Sequence, residues 1–408
     1  MHESAPLSSP GDLLGRKSVS HPGNPMDRPA VIFAALAMGA AGAMFYNLLP
    51  MILGMAQDGL AITTIQVGLL SAAFFLGYNV LTITAFFWIR RANWRAVTAV
   101  ATPAAIAALA LMGASENFGL MCVSAAFAGG AFSTLYGLAA TAIGDTSNPT
   151  RWYGVKMSAE AALGAVLFLV LPSTLIASYG FKGLIGGMVL ALLVIAPSFY
   201  WIPERGSEDK QPSSQASAKP AGPGDSSTAG SSRIWAALAS CLLFFGGQTT
   251  IWAYAERIGQ SAGFEAGAVA SLLSVTLVAA VAGSATAAFL GDRWGNILPF
   301  VAACLLFLVA TVLLAQSGSF AFYAAGTIVV MFSVGSGITF SVAQIASLDS
   351  DGRYVVLSVP AIGIGAMLGP GIAGFLADAG GYLPVLIFGA TTVVLSVFLA
   401  LFTSPPRS

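Results

Sequence analysis

Residues 204–232 read ERGSEDKQPSSQASAKPAGPGDSSTAGSS. Charges, prolines and serines fill this stretch and nothing apolar is left to bury, so it predicts a flexible linker. The sequence on either side is of the opposite kind. The chain has 408 residues, of which 57% are hydrophobic and 8% charged. A soluble domain carries roughly 25% charged residues. So apolar a chain cannot be wrapped in a water-facing surface, and its solvent is lipid.

A bilayer crossing takes about 20 apolar residues in a helix. Before the linker such runs fall at 30–55, 62–88, 95–114, 118–143, 152–178 and 182–202. After it they fall at 233–256, 263–290, 297–316, 319–346, 354–377 and 382–403. The runs are continuous rather than alternating, which predicts helices and not strands. The expected fold class is therefore an all-α membrane protein with twelve transmembrane helices in two six-helix bundles, at 30–203 and 233–403. A polar tail precedes them at 1–29 and a short one follows at 404–408.

Charge placement agrees with that count. All but two of the 17 lysines and arginines lie at one end of the runs, Lys156 being reckoned with the inner loops. The exceptions are Lys182 and Arg257. The bias predicts that both termini are cytoplasmic, in the plasma or inner membrane. The halves also echo each other: LPSTLIASYGFKGLIGG (171–187) and GPGIAGFLADAGGYLPVLIFG (369–389) each join two apolar runs through an outer glycine turn. Such internal repetition is typical of secondary transporters.

Several functions are disfavoured. Zero formal net charge argues against nucleic acid as a partner. Cys122, Cys241 and Cys304 are scattered through apolar runs and read as packing residues, so no metal or cofactor is expected. Both histidines, His2 and His21, lie in the N-terminal tail, which removes the commonest general base from the membrane region. An enzyme is not expected. The tail has no signal-peptide core, so no cleavage is expected, and Met26 is an alternative start. GDLLGRKS (11–18) lacks the spacing of a phosphate-binding loop.

GDRWGN (291–296) sets an acid beside a base between two apolar runs, in the loop between the eighth and ninth helices. With its flank GSATAAFL it resembles the loop signature of the major facilitator superfamily, carried by Gly291, Asp292, Arg293 and Gly295. The architecture of residues 30–403 resembles that family as well. The resemblance implies a secondary transporter working by alternating access, with the acid closing the cytoplasmic side against a helix start in the other half. Here that start is near Arg151, a further partner for Asp292, since a helix N-terminus favours an acid. A solvated turn is the alternative. The matching loop of the first half, WIRRANWR (88–95), has Arg90, Arg91 and Arg95 but no acid, so a charge swap with Asp349 and Asp351 is expected.

The resemblance also implies a substrate path lined by the first, fourth, seventh and tenth helices. The candidates there are Tyr46, Asn47, Tyr136, Gln248, Trp252 and Thr339. Gln248 and Trp252 are four apart and share a helix face. Glu160 stands about two turns inside the fifth helix, and a carboxylate at such depth is a functional candidate by default. Proton coupling, substrate contact and a structural pairing remain open for it. Glu256 and Arg257, at the outer end of the seventh helix, are expected to face water, with an outer-gate ion pair as the alternative. The expected cargo is a small neutral or weakly acidic organic solute, with protons a candidate second partner and the lipid bilayer the surroundings of a monomer. Efflux is taken over uptake, although the fourth helix lacks the arginine of proton-driven drug exporters and uniport stays open. A sugar or metabolite uptake permease and a non-transporting sensor of the same fold are the alternatives.

Overall fold

The computed structural model describes residues 24–206, 228–316, 318–349, 354 and 357–403. Its helices are α1 (Pro29–Asn47), α2 (Leu49–Leu60), α3 (Thr64–Trp88), α4 (Trp94–Ala114), α5 (Phe118–Gly144), α6 (Pro149–Leu171) and α7 (Ala177–Ile195) in a first set. A second set holds α8 (Thr228–Ser261), α9 (Ala266–Leu290), α10 (Ile297–Ala315), α11 (Phe320–Leu348), α12 (Ser358–Gly380) and α13 (Tyr382–Phe402). Among the described residues, eleven stretches are long and apolar enough to cross a membrane. One of them, Arg151–Trp201, holds two crossings. Gly180 breaks the helix at φ +56°, and the chain doubles back until Gly183 lies on the Leu175 carbonyl. Gly381 does the same between α12 and α13 at φ +71°. The two glycine turns anticipated from the internal echo are thus both present.

Local sequence explains where the helices begin. Asn93, Asn117 and Asn148 each accept a hydrogen bond from a first-turn amide of α4, α5 and α6. Thr63 and Gln66 form a reciprocal capping box at α3. The first crossing differs from expectation: instead of one helix over 30–55 it breaks at Leu48 and continues as α2 to Leu60. Pro50 is the cause. It has no N–H to offer the carbonyl of Tyr46 four residues back.

The two sets are built alike inside. At the crossing of α3 and α5, a Cβ on Gly77 would collide with the carbonyl of Ala126, and one on Gly129 with that of Phe74. At the crossing of α9 and α11, Gly283 meets the Phe332 carbonyl and Gly335 that of Ala280. Gly77 and Gly129 recur as Gly283 and Gly335 at one common offset along the chain. Backbones in contact are how lipid-embedded helices gain packing energy. Gly335→Val is accordingly expected to force α9 and α11 apart and abolish recovery of monodisperse protein in size-exclusion chromatography, whereas Gly186→Val, with open space around it, leaves recovery unchanged.

The sets meet along α3 with α12 and along α6 with α9, and α2 leans on α8. Large side chains such as Phe127, Val100 and Phe289 point outward, where lipid lies. The chain ends, near Asn24 and Thr403, share one side, called here the terminal face; the loops after α2, α4 and α8 lie on the far face.

At the terminal face three expectations change. Asn24–Arg28, assigned to the tail, is held in place: Asn24 donates to the Asp145 carbonyl at 2.7 Å, Asp27 accepts from the Ser147 amide at 2.9 Å, and Met26 is buried. The linker is trimmed at both described ends. Glu204 accepts from the Trp94 amide at 2.8 Å, and α8 already begins at Thr228. The tail segments 1–23 and 404–408 and the linker core 207–227 lie outside the described residues.

Candidate functional site

Between the two sets lies a cavity of about 230 Å³. Its walls run from mid-membrane toward the terminal face, reaching Val359 in the first turn of α12. The first set supplies a polar wall: Tyr46, Asn47, Tyr78, Tyr136 and Glu160. Across from it Phe245, Leu277, Val281, Met331, Ile338 and Ile362 form an apolar wall, relieved by the hydroxyl of Ser284. A solute with one polar edge and one apolar face fits this arrangement.

The centre of the polar wall is an ion pair. Lys156 and Glu160 stand four apart on α6, so their side chains share a face. Lys156 Nζ lies 2.5 Å from Glu160 Oε1, with side-chain exposures of 2% and 12%. The same ammonium sits 3.5 Å from the centroid of the Tyr136 ring, a cation–π contact. Gly39 of α1 leaves room for the lysine stem, since a Cβ there would lie 2.8 Å from its Cε. Counting Lys156 with the inner loops was therefore wrong. It is buried, and it turns the lone acid of the sequence reading into a neutral pair. Asn47 joins α1 to this turn, its amide donating to the Glu160 carbonyl at 2.9 Å.

The cavity stops at a layer of cross-set contacts. Tyr46 donates its hydroxyl to Gln248 Oε1 at 3.1 Å. Trp252 Nε1 donates to the Tyr46 carbonyl at 3.0 Å, the carbonyl to which Pro50 has no N–H to offer. Gln248 is fully buried and its Nε2 has no hydrogen-bond partner. Farther out, Arg257 reaches Asp58 at 2.8 Å and also bonds the Gly54 carbonyl. Glu256 is buried against Gly54 and accepts from Gln260 at 2.9 Å. Glu256 and Arg257 do not face water, contrary to expectation, because α2 extends past its predicted end and covers them.

Of the six expected substrate contacts, Tyr46, Asn47 and Tyr136 line the cavity. Gln248 and Trp252 belong to the layer that seals it. Thr339 bonds the Gly335 carbonyl of its own helix and lies off the cavity wall. Sequence reasoning missed Lys156 and Tyr78. The signal for the first was present in the Lys-to-Glu spacing of VKMSAE.

The described gate residues make the following local contacts. Gly291–Trp294 form a short turn, and Gly295 ends it at φ +68°, a conformation that favours glycine. Arg293 lies over the Phe289 ring at 5.6 Å and Arg151 over Trp152 at 5.1 Å, both exposed. The Asp292 side chain and all of Asp351 lie outside what the structure describes. Arg91 is exposed, and Asp349 accepts from the Tyr354 amide at 2.7 Å. The charge swap across the sets must be corrected for Arg90. Its partner is Asp145, at 2.7 Å, at the end of α5 in the same set. Asp145 is fully buried there and demands a cation more strongly than a half-exposed Asp349 does.

The sequence profile of the Major Facilitator Superfamily matches residues 31–359. The chain belongs to that superfamily. The solved nucleoside transporter NupG, a mutant form, superposes with a TM-score of 0.70 at 12% identity, over 92% of this chain and 98% of that one. FucP in the outward conformation gives 0.58 at 18% identity, over 93% and 100%. A mutant of the fucose:proton symporter FucP from E. coli gives 0.59 at 20% identity, over 93% and 99%. At these identities the likeness is one of fold. No curated protein matches this superfamily member by sequence. It is a multi-pass membrane protein with a transporter fold, and the superfamily is one of transporters rather than enzymes.

Proposed function

We propose that this protein carries a small amphipathic organic solute, neutral or weakly acidic, across the cytoplasmic membrane by alternating access, with Glu160 taking up and releasing a coupling proton. The cavity carries the reading. It lies between the two sets, is sealed toward the far face, and presents a carboxylate at mid-depth beside three tyrosines and an amide. On this reading the terminal face is cytoplasmic and the cavity is the inward-facing site. Tyr46, Asn47 and Tyr136 hold the polar edge of the cargo. Gln248, held by Tyr46 and left with an idle amide, joins them when the sealing layer opens. A cargo like the nucleoside or fucose of the two solved neighbours would ask for more hydrogen-bonding groups than the apolar wall of α9, α11 and α12 offers.

Glu160→Gln tests the reading. Solutes that raise the melting temperature of purified protein are the ones to reconstitute, because a ligand of the folded state stabilises it by mass action. The variant is expected to keep counterflow of such a solute in liposomes and to lose accumulation driven by a pH gradient, down to the leak of empty liposomes. Undiminished gradient-driven accumulation by Glu160→Gln would remove Glu160 as the proton carrier. Binding without counterflow in the wild type would make the protein a sensor.

A further inference from the structure

An ammonium buried to the depth of Lys156 needs an anion in every state the carrier visits, because an isolated charge in a membrane interior is very costly. The Tyr136 ring attracts it without cancelling its charge. The titratable groups turned toward the pair are Tyr46 from α1, Tyr78 from α3, Tyr136 from α5 and Tyr153 on α6 itself, and none of them is an acid of carboxylate strength. The cavity walls supplied by α8, α9, α11 and α12 bring no acid or base among the described residues. Among the described residues Glu160 is thus the one counter-ion within reach, and it also faces the cavity. A proton landing on Glu160 leaves Lys156 without compensation.

We propose that the cargo supplies the missing charge: the protein carries a monocarboxylate, whose carboxylate replaces that of Glu160 at the Lys156 ammonium when Glu160 takes up a proton. This rests on Glu160 as the proton carrier. The proton adds to a carboxylate oxygen of Glu160, Lys156 keeps all its protons, and the cargo anion accepts from the freed ammonium. The site is neutral when empty, as Lys⁺ with Glu⁻, and neutral when loaded, as Lys⁺ with GluH and the cargo anion. One proton and one anion therefore cross together with no net charge. A neutral solute would leave the loaded site positive and a dianion would leave it negative. The cargo's apolar portion packs on Phe245, Leu277 and Met331 opposite.

The test uses acetate and benzoate as probes, with acetamide and benzamide as their uncharged counterparts, at constant ionic strength. Glu160→Gln leaves Lys156 permanently without its acid, so benzoate and acetate are expected to raise its melting temperature by several degrees. The amides should not, and Lys156→Gln/Glu160→Gln should respond to none of the four. Indifference of Glu160→Gln to both carboxylates, or an equal response by the double variant, overturns the proposal. Should Glu160→Gln not fold, the wild type gives the same answer. Stabilisation by benzoate should grow as the pH is lowered from mildly alkaline to mildly acid, persist in Lys156→Arg and vanish in Lys156→Gln; a response that survives in Lys156→Gln overturns it. In liposomes a pH gradient should drive benzoate flux and a potassium diffusion potential alone should not. Flux driven by the potential means a charged loaded carrier and sinks the monocarboxylate, while leaving Glu160 as proton carrier. Carboxylate binding by Glu160→Gln alongside a wild type indifferent to pH sinks the proton reading and leaves the anion site.

Discussion

Lys156→Met is expected to destabilise the folded protein by about 3–5 kcal/mol, the usual cost of removing one partner of a buried ion pair. Methionine keeps the stem beside Gly39, so the packing there is preserved, and what is lost is the charge together with its contact over the Tyr136 ring. What remains is the Glu160 carboxylate, 12% exposed and deprived of its cation. The loss falls chiefly on an uncompensated charge, and that makes a specific double variant informative. Lys156→Met/Glu160→Gln removes both charges and should recover most of the stability, a strong non-additivity between neighbouring sites. In detergent the single variants should melt several degrees lower and the double variant close to the wild type. A double variant that falls by the sum of the two singles would mean the side chains act independently and that the pair does not organise the polar wall. The recovered double variant should also ignore a pH gradient, since no titrating carboxylate is left on the cavity.

Much of the fold was legible because hydropathy is a one-dimensional property. Run lengths, the polar linker and the one-sided placement of basic residues needed no knowledge of contacts. The glycine turns at Gly180 and Gly381 were legible for the same reason, as both interrupt apolar runs at matching places. The break at Leu48 was visible in principle, since Pro50 stands within the first run, but prolines in membrane helices as often kink as break them. Pro103 and Pro370 indeed lie inside unbroken helices. The site was less legible. Lys156 stands in the second turn of α6, where chain position alone cannot tell a lysine reaching out to the surface from one turned inward. Only its neighbours Gly39 and Tyr136, from α1 and α5, decide it. Asp145 was passed over for a similar reason: it lies 55 residues from Arg90, and only the fold brings the end of α5 under the loop between α3 and α4.

Trp252→Ala is expected to shift the carrier from the far-sealed state toward one open at the far face. Trp252 is 1% exposed, has Phe168 of the other set at 6.3 Å edge-on, and donates to the Tyr46 carbonyl across the interface. Truncating a buried aromatic of this size costs about 3–5 kcal/mol. The Tyr46 carbonyl, which Pro50 cannot serve, also loses its tryptophan donor, at a further cost of about 1 kcal/mol. Both penalties attach to contacts between the two sets, so they fall on the state in which the far side is closed and not on the one in which it has parted. About 5.5 kcal/mol is enough to invert a two-state equilibrium from 99:1 to 1:99, so a nearly complete shift is within reach of this one substitution. Spin labels at Glu116→Cys and Ser319→Cys, on the far-face loops of the two sets, would report it in a background with Cys122, Cys241 and Cys304 replaced. Their distance distribution should move to longer values in Trp252→Ala. In Trp252→Phe, which keeps one ring and loses the hydrogen bond with the rest of the indole, it should move part of the way. Thr339→Ala, whose hydroxyl bonds its own helix, should leave it where it was. If Trp252→Ala lowers the melting temperature and the distances do not change, Trp252 supports both states equally and the far-side seal is held by Tyr46, Gln248 and the Arg257–Asp58 pair instead.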